Sequence, residues 1–111
     1  MTTDDQRVRI VFLLRLRPDS AERFRAAYEA VRWNVARTDG HLGDQLCQSV
    51  GDPDQWMITS EWESLEHFLA WERTDAHREL AAPMMACVVE RSSLRFVVRA
   101  ATSGAASGAR S

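Results

Sequence analysis

Four residues at alternate positions of "QWMITSEW", namely Trp56, Ile58, Ser60 and Trp62, have the types and spacing of a ligand-binding wall. Side chains two apart on a strand share a face, so two indoles, an aliphatic group and a hydroxyl line up on one side. Such a wall can stack on a flat aromatic ring and donate an N–H to a carbonyl. It can equally fill a core, as strand-face tryptophans usually do. His77 adds a group able to move a proton. It follows Thr74 and Asp75 at a break between helical stretches, and a neutral imidazole there can take a phenolic or C–H proton. Asn34 sits beside Trp33 in "AVRWNVA"; an amide facing the sheet there would position a phenol, and one facing water would do nothing. Trp71 and Phe68 belong to the apolar stripe of a later helix, as core or as the closed end of a pocket. His41, at a turn, and His67, which that stripe skips, are expected to be exposed. Arg15, Arg95 and Arg99 carry the charge to hold an enolate or carboxylate, although edge arginines are mostly solvated.

The elements that must position these residues follow from two hydrophobic periods. "VRIVFLLRL", Val8 to Leu16, alternates as a strand does. Pro18 breaks it, and Asp19 with Glu22 makes a capping-box pattern that opens a helix. Phe24, Ala27, Tyr28, Val31 and Val35 recur at helical steps. "TDG" ends that helix, with Gly40 available for a left-handed residue. "HLGDQLCQSV" reads as a second strand with Leu42, Leu46 and Val50 on one face. "GDPD" is a turn, and "QWMITSEW" is the third strand. Ser64 stands where an N-cap belongs before "LEHFLAWE". Thr74 and Asp75 offer another cap before "AHRELAAPMMACV", so this helical region is expected in two pieces, with Pro83 limiting the second. "SSLRFVVRA" closes as a fourth strand carrying Leu94, Phe96 and Val98 on one face. Residues 1–100 then form one domain, and the small, polar residues 101–111 are expected to be a disordered tail.

The resulting order, β-α-β-β-α-β, is the ferredoxin-like α+β arrangement, with an antiparallel sheet and both helical regions on one face. The opposite face, with Val11, Leu13, Met57, Thr59 and Cys47, is too apolar to stay in water, which points to a homodimer. Composition narrows the function classes. With 45% apolar residues, 27% charged residues and a formal net charge of -2, the 111-residue chain is an ordinary globular domain. It has no basic patch for nucleic acid and no apolar run long enough to cross a membrane. The polar start "MTTDDQRVR" lacks the apolar core of a secretory signal, so a cytoplasmic location is expected, with Cys47 and Cys87 as reduced, buried thiols. No cofactor or metal is expected: no His/Cys/Asp/Glu set has metal-site spacing, and no glycine-rich phosphate loop occurs.

"GHLGDQL" after the first helix, "ITSEWESLEHFLAW" across the third strand and second helix, and "DAHREL" beyond them resemble the antibiotic biosynthesis monooxygenase family. The resemblance covers nearly the whole chain to Arg99. It implies a dimeric α+β barrel of ferredoxin-like subunits, each binding its ligand between sheet and helices. It places Trp62 at a family ligand-contact position; Trp56, as a strand-face tryptophan, is expected mainly in the core beside it. The family's anthrone-oxidising members carry one asparagine on the first strand and another shortly before the strand-ending tryptophan. Leu14 and Ile58 stand in those places, and Asn34 is the candidate replacement. The haem-degrading members carry a tryptophan matched by Trp71 and a later histidine. That place falls near Ala81 or Ala82, so haem degradation is disfavoured. The resemblance therefore implies a cofactor-independent monooxygenase-like tailoring enzyme acting on a small aromatic polyketide. The alternatives are a non-oxidative cyclase or aromatase and a non-catalytic intermediate-binding protein.

Overall fold

In the computed structural model, which describes residues 6–106, the alternation of the first strand is visible as burial. Strand β1 (Val8–Leu16) buries Val8, Ile10, Leu14 and Leu16 on one face. The remaining elements are α1 (Ala21–Ala36), β2 (His41–Gln48), β3 (Gln55–Trp62), α2 (Leu65–Glu72), α3 (Asp75–Met85) and β4 (Val88–Val97). The strands pair antiparallel in the order β2-β3-β1-β4. This is the ferredoxin-like α+β fold, with its second helical region in two pieces as Thr74 and Asp75 imply.

Each helix starts for a local reason, and one start differs from expectation. The hydroxyls of Ser64 and Thr74 accept from the backbone N–H groups of His67 and His77, at 3.2 and 3.1 Å, and so cap α2 and α3. The N-cap of α1 is Ser20, whose side chain makes no capping bond. Asp19 lies one position too early for a capping box and turns the chain with a left-handed φ of 62°. Helix α3 runs through Pro83 to Met85, because a proline so near the end removes a single hydrogen bond of the last turn. Gly40 has φ 86°, and a Cβ there would lie 2.2 Å from the His67 ring, so the turn before β2 accepts only glycine.

Two core clusters fill the space between the helices and the sheet. One joins Leu14, Leu16, Phe24, Tyr28, Val31, Trp56, Met84 and Cys87; the other joins Val8, Ile10, Val35, Trp62 and Phe68. Both cysteines are free thiols, Cys87 buried and Cys47 half-buried.

Two strands deviate from simple alternation. In β2 the register with β3 shifts between His41 and Gly43, so Leu42 is an extra residue. The bulge carries Leu42 out of the expected face, where it is 46% exposed, and sets His41 opposite Trp62; Asp44 and Leu46 keep that face, opposite Ser60 and Ile58, and only Leu46 of the expected trio packs on the core. Val50 lies beyond the strand in water. Strand β4 begins at Val88, earlier than expected, and its pairing with β1 turns Arg91, Ser93 and Arg95 toward the helices. Leu94 and Phe96 face the other way and are exposed, beside the half-buried Val11 and Leu13. Among the described residues no helix is long and apolar enough to cross a membrane. Residues 101–106 are exposed and belong to no strand; residues 107–111 of the expected tail lie outside the described residues.

Candidate functional site

A cavity of about 420 Å³ lies between the sheet and the helices. Ligand pockets of this size hold small organic molecules. Phe12, Leu14, Ile58 and Trp62 from the sheet and Phe68 from α2 give it apolar walls. Leu14 and Ile58, at the two places where the resemblance would put amides, thus line the cavity and are aliphatic.

Ser60 and Trp62 line the cavity as the alternation of β3 requires, but the indole N–H is already used. Trp62 Nε1 donates to Ser60 Oγ at 3.0 Å, and the residue is 1% exposed. The rings of His41, Phe68 and Trp71 surround it at 5.1, 5.6 and 5.6 Å between centroids. Trp62 therefore contributes a rigid wall, and the expectation that it donates an N–H to a ligand is corrected. Trp56 belongs to the core, as expected: Phe24 meets it edge-on at 5.6 Å, and its Nε1 donates to the Pro53 carbonyl at 2.9 Å.

Among the described residues, two buried polar atoms without a partner lie on α2 and α3. Trp71 Nε1 and His77 Nδ1 are both buried and have no hydrogen-bond partner in the structure. Their rings stand 4.1 Å apart between centroids, tilted by 58°, and both line the cavity. A buried polar atom without a partner costs about 1–3 kcal/mol, so two of them side by side are an expense that a ligand would offset. Burial is the main influence on the imidazole and holds His77 below its ordinary value of 6.5. The Glu72 carboxylate opposes that shift, and the Arg78 guanidinium adds to it. At neutral pH the ring is an uncharged base. Together the pair offers one donor and one proton acceptor at an apolar slot. Ala81 also lines this cavity, and its methyl group cannot coordinate iron. Among the described residues no group of three or more His, Cys, Asp or Glu could hold a metal ion.

Other expected residues are not brought to the cavity. Trp33 is 61% exposed, with the Arg32 guanidinium over its ring at 4.9 Å. Asn34 is half-buried off the cavity. Tyr28, Val31 and Val35 define the inner stripe of α1, and positions 33 and 34 are rotated away from it. The expectation that His41 is exposed is corrected, since only 6% of its side chain reaches solvent. His67 is half-buried, its Nδ1 2.7 Å from Ser64 Oγ.

Sequence reasoning missed a second polar group on the cavity wall. Tyr28 donates to Asp44 Oδ1 at 2.5 Å, and His41 Nε2 lies 3.1 Å from Asp44 Oδ2. Arg91 was also missed. The β2 bulge sets His41 opposite Trp62, plain alternation puts Asp44 on the face of Leu46, and the β4 register turns Arg91 inward; the available signals were the shared parity of Asp44 and Leu46 and the alternate polar residues of "ERSS".

Residues 7–83 match the family described as antibiotic biosynthesis monooxygenase. The chain is 45% identical over 101 residues to the 42.8 kDa protein in the whiE locus of Streptomyces coelicolor, covering 91% of this chain and 25% of that protein. It is 39% identical over 101 residues to polyketide synthase CurD of Streptomyces cyaneus, covering 91% of this chain and 27% of that one. The chain thus spans about a quarter of the length of the curated relatives it matches. SnoaB, a cofactor-independent oxygenase from Streptomyces nogalater, superposes with a TM-score of 0.79 at 14% identity, covering 86% of this chain and 96% of that one. At that identity the likeness shows a shared fold. With the match running from β1 into α3 and these relatives alongside it, the chain belongs to the antibiotic biosynthesis monooxygenase family.

Proposed function

We propose that this protein is a cofactor-independent monooxygenase that tailors an aromatic polyketide intermediate in the cavity between sheet and helices. The observation that carries the reading is the pair of unpartnered buried atoms, Trp71 Nε1 and His77 Nδ1, side by side on the cavity beside the apolar walls of Phe12, Leu14, Ile58 and Phe68. A relative named as a polyketide synthase and a structural neighbour named as a cofactor-independent oxygenase support it. Neutral His77 takes a C–H or phenolic proton from a flat polyphenol, leaving an electron-rich enolate. The Trp71 N–H donates to the enolate oxygen and stabilises the charge as it develops. The enolate gives its electrons to dioxygen, a carbon–oxygen bond forms, and the hydroperoxide loses water to leave a carbonyl. The balance is one substrate and one O2 to one quinone and one water. The apolar walls keep the enolate from being reprotonated by solvent. The purified protein should consume oxygen with an anthrone and no added cofactor, at one O2 per quinone formed. Oxygen uptake no faster than the uncatalysed background sinks the oxygenase reading.

One feature favours a second reading. Both amides of the anthrone-oxidising pattern are replaced by Leu14 and Ile58, which line the cavity. A non-oxidative cyclase or aromatase does not need them. It would change the ring pattern of products on co-expression with a minimal synthase and leave oxygen uptake at background.

The exposed sheet face supports a homodimer. Val11, Leu13 and Met57 are half-buried there, and Leu94 and Phe96 are 42% and 53% exposed. A second copy covering them would bury roughly 2,000 Å² or more in total. Sedimentation velocity at micromolar concentration should give a dimer, and Phe96→Glu should shift it to monomer. A wild-type monomer refutes the prediction.

A further inference from the structure

We propose that Tyr28 is a specificity-determining residue whose phenol oxygen accepts a hydrogen bond from a second hydroxyl of the bound aromatic, so that the cavity selects polyhydroxylated rings. The inference rests on the cavity being the ligand site.

Asp44 shares the inner face of β2 with Leu46 and stands opposite Ser60. A carboxylate only accepts hydrogen bonds. Its two oxygens are met by the Tyr28 hydroxyl at 2.5 Å and by His41 Nε2 at 3.1 Å, which fixes the proton of His41 on Nε2. The group is well covered: the side chains of His41 and Asp44 are 6% and 12% exposed. The Tyr28 proton is therefore committed to Asp44, while the lone pairs of its oxygen have no partner among the described hydrogen bonds. Burial, followed by the bond to Asp44, raises the Tyr28 pKa far above its ordinary value, so the phenol keeps its proton. A neutral phenol that donates to a carboxylate is a stronger acceptor, because the two bonds polarise each other.

Tyr28 and Asp44 line this cavity and also a second one, of about 560 Å³, that includes Gln45 and Trp56. The pair stands where the two spaces meet. Trp62 links this group to the first polar pair, since its ring contacts both His41 and Trp71. An aromatic held in the cavity meets one polar pair at Trp71 and His77 and a second acceptor at Tyr28, all of which line it. A ligand with one hydroxyl satisfies one of the two; a polyphenol satisfies both.

A purely structural role, tying α1 to β2, predicts a different result. Binding of the dihydroxyanthraquinone isomers and their monohydroxy parents can be followed by quenching of tryptophan fluorescence, with thermal melts in parallel. In the wild type at least one dihydroxy isomer should bind roughly fivefold tighter than its parent, as one added hydrogen bond provides. Tyr28→Phe should remove that preference and leave the monohydroxy compounds bound as before. Asp44→Asn, which keeps the phenol but no longer locks it as an acceptor, should shrink the preference and provides the answer if Tyr28→Phe does not fold. A preference undiminished from wild type in whichever folded variant is measured, or one absent from the wild type, overturns the assignment. The readout needs no turnover. Failed oxygen uptake with an intact Tyr28-dependent preference rejects the oxygenase and retains the specificity residue, and the converse pattern does the reverse.

Discussion

His77→Asn is expected to lower oxygen uptake with an anthrone by about 10²–10⁴-fold, the usual contribution of a positioned general base. Asparagine is close in size and can still hydrogen-bond to Trp71 or to ligand, but it cannot take a proton at neutral pH. The backbone N–H of residue 77 keeps its bond to Thr74 Oγ1, so α3 should remain capped and the melting temperature should change little. Wild-type activity should also report the imidazole through pH. Burial holds the folded-state value below 6.5, so the base form persists at neutral pH and is lost only at lower pH. The rate should be level above about pH 6.5 and fall on the acid side, and His77→Asn should lose that limb. The stability sign follows from the same shift. Near and below pH 6.5 the unfolded chain binds this proton more readily than the folded one, so acid removes stability through His77. An active His77→Asn variant with the same pH profile as wild type would falsify the assignment of His77 as base.

Trp56→Ala should cost about 3–5 kcal/mol of stability through the cavity it leaves, lowering the melting temperature by more than about 10 °C. Trp56 is 4% exposed, packs on Phe24 and anchors the preceding turn through the Pro53 carbonyl. Trp62→Ala should cost a similar amount, because its ring holds His41, Phe68 and Trp71 together. The contrast is Trp71→Phe. Its N–H has no partner to lose, so the fold should keep nearly all its stability while ligand binding weakens by roughly fivefold. Thermal melts alongside fluorescence binding test the whole set. If Trp62→Phe weakened ligand binding while Trp71→Phe did not, the donor would have to be moved back to the strand.

The sequence by itself determined the elements and most of their faces, because backbone geometry fixes side-chain direction at a period of two on strands and 3.6 on helices. Val8 to Leu16, the Ser64 and Thr74 caps and the alternation of Trp56, Ile58, Ser60 and Trp62 are local facts, and local facts survive folding. The family was legible for the same reason, since its motifs lie along continuous stretches. Only tertiary structure decided which of those groups are chemically available. Trp62 and Trp71 carry the same N–H, yet Ser60 takes one and nothing takes the other, which depends on how α2 packs over β3. Trp33 and Asn34 face away because the rotation of α1 is set by Tyr28, Val31 and Val35 seeking the core. In a strand a single extra residue exchanges the two faces. The bulge at Leu42 therefore changed the reading at the start of β2, exposing Leu42 and bringing His41 to the inner face beside Asp44.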